Sequence, residues 1–338
     1  MAAVMQKVMI KLNNHKIAIL ALRKVHLIGA TTIKKLWQKE VFNGENYETI
    51  VNNCLTILKK SVSQIDLKDY YEQALEIIER SDELGIKSID ISDDNYPVQL
   101  KEIKGPPSIL YYKGDISKAN LTIGIIGTRE PDTKGIEIAK RVGSYFINDG
   151  FSICNGLATG IDEASINYDK FEKANVVGVV AGGLNYTHSK TLLKNTAEFA
   201  DKIMEKGGLI VTEYPYDSKE DKFKVVDSCS IQAGLSHGVI LVQSKANGGS
   251  KFTITALAEF KRPLGVISIL GSQDDILFEA NNLLLNDFKN GMKIITNLKE
   301  DKINMDKCYP ISRKEDYSVF GAVVRKSVKV ENKENKLF

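Results

Sequence analysis

The sequence is short of the residues that build metal centres and covalent cross-links. Its four cysteines, Cys54, Cys154, Cys229 and Cys308, lie far apart with no Cys-x-x-Cys pair, so spacing gives neither a disulfide framework nor a zinc site, and a reducing cytosol fits. Its four histidines, His15, His26, His188 and His237, are scattered, and no metal ligand is assigned. Long apolar runs are missing as well. The segment IAILAL near the N-terminus is too short to cross a bilayer and carries no cleavage pattern, so no membrane partner and a cytoplasmic location are expected. Charge is nearly balanced: 46 Lys and Arg face 43 Asp and Glu, a net +3 with a pI near 8.4, which permits a nucleic-acid partner without arguing for one. No paired carboxylates and no Ser-His-Asp order stand out, so no catalytic residue and no cofactor are assigned. What remains is a chain of 338 residues with 43% hydrophobic content, enough to bury one large core or two modest ones.

The chain is organised around residues 123–162. The run TIGIIG is short, β-branched and bounded by glycine, which predicts a buried parallel strand ending at Gly127, with Thr128 and Arg129 in the turn that follows. After Pro131, Ile136, Ala139, Val142 and Phe146 recur at helical spacing, and Gly150 is placed to end the helix. A second strand, FSIC, breaks at NGLATGID, where Asn155, Gly156, Thr159 and Gly160 precede a helix opening near Asp162. Glycines there take backbone angles other residues avoid, so bare N–H groups can close on an anion at the positive end of a helix. Taken alone, each loop is equally a plain strand-to-helix connection; two in succession, with Arg129 between them, suggest a phosphate cradle.

Four more apolar runs, VVGVVAGG, GLIVTEYP, GVILVQS and PLGVISI, alternate with helical stretches, which predicts a parallel sheet with helices on its faces. Right-handed crossovers then bring the loops to one sheet edge, where open α/β sheets bind ligands. The loop after GVILVQS carries Lys245, Gly249, Ser250, Lys251 and Thr253, with Ser250 as a helix-cap candidate; a serine-capped helix needs no ligand. Upstream, IAILALRKV, a turn at Ile28-Gly29-Ala30 with Thr31 and Thr32 as cap candidates, and IKKLWQKEVF predict short helices. An amphipathic helix follows over Asp66 to Glu83, then a strand in IKSIDI and a proline-punctuated connector through Pro97, Pro106 and Pro107.

These motifs carry a family resemblance. GIIGTRE and NGLATGID resemble the strand-GSR-helix and SGLARGID motifs of the DNA-processing protein A family (DprA, also called Smf). YPVQLKEIKGPPSILYYKGD resembles the family's Tyr-Pro, Pro-Pro, Leu-Tyr and Gly-Asp series, and Gly249, Ser250, Thr253 and Ala258 match its SGS..TA..A motif. ALRKVHLIGATTIKKLW resembles the family's helix-turn-helix start. ANNLLLNDFKNGMKIITN resembles its closing segment, an Asn-Leu pair before a Gly-bearing turn and a last strand. The resemblance covers about residues 16 to 298.

The resemblance implies an α/β fold: an extended Rossmann-like parallel sheet with helices on both faces, plus a small N-terminal helical domain. Expected divisions are a helix-turn-helix-like module over 1–65, a helix and connector over 66–115, the core over 116–298 and a polar, partly disordered tail over 299–338. It also implies a homodimeric protein, not an enzyme, that binds single-stranded DNA in DNA uptake and processing and helps load a RecA-type recombinase. Site residues expected are Gly127, Thr128, Arg129, Asn155, Gly156, Thr159, Gly160, Gly249, Ser250 and Thr253, with Lys224, Lys245 and Lys251 as positive charges remaining nearby. The chain departs from the family where an Arg-Asn-Arg triplet lines the DNA pocket: counting back from Ala233-Gly234-Leu235-Ser236, those positions are Ser228, Cys229 and Ser230. Ile166 replaces a family histidine and Thr159 an arginine. Losing guanidinium groups removes bidentate anion contacts, which keeps open a second possibility, a sensor with a nucleotide ligand in the same cleft. A third, a nucleoside monophosphate phosphoribohydrolase, fails on its motif, because NGGSKFTITALAE does not match PGGxGTxxE.

Overall fold

Aliphatic runs too short for helices and closed by glycine or polar turns form, among the described residues, one nine-stranded sheet. The structure, a computed structural model, describes residues 2–42, 44, 46–166 and 174–334. The strands are β1 (Lys87–Asp90), β2 (Ile109–Gly114), β3 (Thr122–Ile126), β4 (Ser152–Asn155), β5 (Val176–Val179), β6 (Leu209–Thr212), β7 (Val239–Leu241), β8 (Leu264–Ile267) and β9 (Tyr309–Ile311). They lie in the order β1-β2-β6-β5-β4-β3-β7-β8-β9. From β6 to β9 all pairings are parallel, while β2 and β1 extend the β6 edge antiparallel.

Alternation along the strands divides the core between two faces. Ile123, Ile125, Ile153 and Ile240 pack with Ile138, Val142 and Phe146 of helix α6 (Thr133–Asn148). The opposite face carries Ile126, Val239, Leu241 and Val266 against Ile254 and Leu257 of α10 (Ser250–Phe260). Beside them, Cys154, Val177 and Val211 pack with Ile231 and Leu235 of α9 (Lys222–Leu235). The expected doubly covered α/β sheet is therefore what forms.

The N-terminal helices α1 (Ala2–Lys24), α2 (Ala30–Gln38), α3 (Tyr47–Ile57) and α4 (Gln64–Glu83) bury Ile17, Leu22 and Ile50 in one cluster with Tyr111, Val176 and Ile210, so packing is continuous across residue 115. Thr31 and Thr32 do not cap α2; Gly29 precedes it with extended backbone and no side-chain cap, and both threonines lie inside the helix.

Two expectations near the C-terminus are corrected. KIIT belongs not to a last strand but to α12 (Phe288–Thr296), which Asp287 caps by accepting the Asn290 N–H at 3.1 Å; Met292 and Ile295 are buried three residues apart on one side. Gly291 sits inside that helix because a Cβ there would lie 2.5 Å from the Leu283 carbonyl of α11 (Glu279–Asn286). Residues 299–338 are not simply a polar tail: Tyr309–Ile311 pairs with β8, and α13 (Lys314–Glu334) buries Phe320 and Val324 beside Phe146. Those two side chains, set among charged neighbours at spacing i and i+4, contribute about 1.5–3 kcal/mol each by burial.

Candidate nucleic-acid interface

Strand order places the site. β3 continues through α6 on one face, whereas its neighbour β7 continues through α10 on the other, so the two chains diverge at their carboxyl ends and open a crevice. Its walls are the turn Gly127–Arg129 and the loop 244–250.

Gln243, fully buried just after β7, ties the walls together. Its carbonyl accepts the Thr128 N–H at 2.8 Å, its side-chain oxygen accepts the Asp132 N–H at 3.2 Å, and its Nε2 donates to Asp132 Oδ1 at 2.9 Å. Asp132 also caps α6 through the Gly135 N–H at 2.7 Å. The turn is thus rigid, and it presents Arg129 exposed to solvent.

The β4 loop packs on this turn from the other side. Gly160 has φ +85°, and a Cβ there would lie 2.6 Å from the Thr128 carbonyl oxygen and 2.7 Å from Arg129 backbone atoms, so only glycine allows the approach. Asn155 is fully buried, and its amide serves the loop itself, donating to the Asp162 carbonyl at 3.1 Å and accepting the Leu157 N–H at 3.1 Å. The Gly156 and Ala158 N–H groups, expected to face an incoming anion, donate instead to Asp162 Oδ2 at 3.1 and 3.3 Å. The chain's own carboxylate occupies that half of the cradle. Burial pushes the Asp162 carboxyl up to about 7, against the pull of those two N–H donors and the Arg129 guanidinium. The helix that follows, α7, is described over Ile161–Ile166. Thr159 is half-buried beside Gly160.

The β7 loop differs. Lys245 and Gly249 are exposed and Lys251 half-buried. Ser250 does not cap α10: Gly249 is the N-cap residue, with no side-chain cap bond, and the buried Ser250 Oγ has no hydrogen-bond partner. Thr253, one turn on, donates to Gln232 Oε1 at 3.4 Å, which leaves Gln232 Nε2, also buried, unpartnered. Two unsatisfied polar atoms, each on a side chain more than nine-tenths buried, belong to the helices α9 and α10 that meet at one notch.

Of the three positions that replace the family triplet, only Cys229 joins this group. Its thiol is pushed up by burial and drawn down by Thr253, and it donates to the Val225 carbonyl at 3.3 Å. Ser228 is buried and donates to the Val225 carbonyl at 2.8 Å, while Ser230 is exposed. Lys224 is not a free cation, since its ammonium bonds Ser218 Oγ at 3.0 Å and pairs with Asp221 at 3.5 Å. Asp132, Asp162, Gln232 and Gln243 were not singled out from sequence as site groups; the one available signal was the Asp of the GID motif.

A sequence profile of the family described as "DNA recombination-mediator protein A" matches residues 87–301, more than half of the chain. The chain belongs to that family. It is 32% identical over 251 residues to the DNA processing protein DprA of Bacillus subtilis, covering 74% of this chain and 82% of the relative. Protein Smf of Synechocystis is 31% identical over 208 residues, with 60% of this chain and 50% of that protein aligned. Among solved structures, DprA from Streptococcus pneumoniae superposes with a TM-score of 0.64 at 22% identity, covering 88% of this chain and 95% of its own. DprA from Helicobacter pylori, described for its single-stranded DNA binding mode, gives 0.50 at 21% identity over 64% of this chain and 96% of that one. At these identities the superpositions establish the shared fold. DprA membership also places α11 and α12 inside the family region, with α1 to α4 before it and β9 and α13 after it. Among the described residues no helix is long and apolar enough to cross a membrane.

Proposed function

We propose that this DprA-family protein binds single-stranded DNA along the β3/β7 crevice and acts as a recombination mediator, passing the strand to a RecA-type recombinase in the cytoplasm. The observation that carries it is Arg129, exposed on a turn braced by Gln243 beside a loop whose Lys245 and Lys251 form no ion pair among the described residues. A guanidinium so held binds a phosphate bidentately, and the flanking lysines track the next phosphates along an open groove. No catalytic step is needed for this role. The recombinase and a homodimeric assembly rest on family membership alone.

A second possibility has its own support. The unpartnered Gln232 Nε2 and Ser250 Oγ suit a small polar ligand, such as a nucleotide, in the notch. Titrating the protein with labelled single-stranded DNA, duplex DNA and a mononucleotide panel separates the two. Tighter binding of the single strand than of duplex, falling steeply with salt, is expected of the DNA role; saturable binding of one mononucleotide without DNA binding replaces it with the sensor.

A further inference from the structure

We infer that Phe223 and Phe252 are base-stacking platforms at the rim of the crevice, standing in for cations the triplet positions lack; the inference deepens the single-stranded DNA role and rests on it. Both rings sit in the first turn of helices that run antiparallel to the strands, so both lie at the carboxyl edge of the sheet. Helical side chains lean toward the helix N-terminus, here toward the carboxyl edge of the sheet. Phe223 is 70% exposed and Phe252 37% exposed, and each carries its neighbour's ammonium over the ring: Lys222 at 5.1 Å and Lys251 at 5.3 Å from the centroids.

The exposure of Phe223 is imposed by the fold. Asp221 caps α9 by accepting the N–H groups of Phe223 and Lys224 at 2.9 and 3.0 Å, and Lys224 anchors the turn to Ser218. A third ring, half-buried Tyr214, lies under the Lys224 ammonium at 5.3 Å. Other exposed large apolar side chains among the described residues, such as Leu270 and Ile276, are aliphatic and offer no stacking face. An aromatic face with a lysine beside it suits one nucleotide well: the base stacks on the ring while the ammonium meets the adjacent phosphate. Phe223 precedes Cys229 by six residues, about 9 Å along the helix axis, so its platform stands clear of the notch and takes a neighbouring nucleotide. With serine and cysteine at the triplet positions, stacking carries a share of affinity that salt does not screen.

The test compares oligo-dT with an abasic oligomer of equal length, which keeps the phosphates and removes the bases. The wild type is expected to bind oligo-dT about tenfold or more tightly than the abasic strand. Phe223→Ala with Phe252→Ala should erase that difference by weakening only oligo-dT, and Phe223→Trp should restore binding in a Phe223 variant, with its indole fluorescence quenched by oligo-dT and not by the abasic strand. Unchanged melting temperatures show that these surface changes leave the fold intact. Equal binding of both oligomers by the wild type, or an oligo-dT affinity untouched in the double variant, overturns the stacking inference and leaves the DNA role standing. Binding of neither oligomer overturns the DNA role and the inference together.

Discussion

Two loops at the same sheet edge look alike in sequence and behave oppositely in the fold. NGLATGID after β4 and KANGGSKFT after β7 each place glycines and a hydroxyl residue ahead of a helix. The first closes on itself, with Asp162 accepting from Gly156 and Ala158. In the second, Ala246 alone donates to a carboxylate, Glu279 at 3.0 Å, while Ser250 Oγ stays unpartnered and Gly249 lies open. A glycine-rich loop is therefore a cradle only when no side chain of its own fills it. One loop braces Arg129, and the other keeps its glycine and serine open.

The contrast is broken most forcefully at the glycines. Gly160→Ala puts a methyl group against the Thr128 carbonyl at a left-handed φ, and it should cost about 2–4 kcal/mol in chemical denaturation. Gly249 has φ −60° and open space around its Cβ position, so Gly249→Ala should change stability by less than about 0.5 kcal/mol while weakening DNA binding by crowding the open loop. Equal losses of stability at both positions would end the distinction.

Arg129→Ala comes next. Removing the guanidinium from this braced turn should weaken single-stranded DNA binding by about 1.5–3 kcal/mol, and Lys251→Ala by less, because an ammonium cannot bind a phosphate bidentately. Anisotropy titrations of the two variants give the order directly, and the reverse order would centre the site on α10.

The smallest effect on binding belongs to Asp162. Its carboxyl is raised to about 7 in the folded chain, whereas an unfolded aspartate ionises near 4. The native state thus holds a proton the unfolded state has released, and this residue's contribution to stability falls as pH rises from about 4 to about 7. In the same way DNA affinity should rise as pH falls from 8 to 6, because a negative charge beside Arg129 is lost. Asp162→Asn keeps an oxygen to accept both N–H groups and removes the charge. It should flatten both profiles and tighten binding at pH 8 by about two- to fivefold.

Much of this fold is legible in the sequence, for identifiable reasons. The six core strands are β-branched runs closed by glycine or polar turns, and burial on both sides leaves them no polar alternation to obscure. The last strand was less visible: Tyr309–Ile311 is three residues long and contains Pro310, tolerated because β9 is an edge. KIIT reads as a strand by composition, and only the Asp287 cap and the close packing of Gly291 make it helical. At the site, Arg129 and the glycines were visible as motif positions. The roles of Asp162 and Gln243 were not, since Gln243 meets partners distant in the chain and Asp162 depends on how its own loop folds back on itself. For the same reason Asn155 and Lys224 look available in sequence and are engaged in the fold.

Amide hydrogen exchange at the two loops, with and without single-stranded DNA, tests the central claim most directly. The Gly156 and Ala158 amides, already bonded to Asp162, should exchange alike in both states, while those of residues 245–252 should slow markedly when the strand is bound. Protection gained at Gly156 and Ala158 with none at residues 245–252 would contradict it.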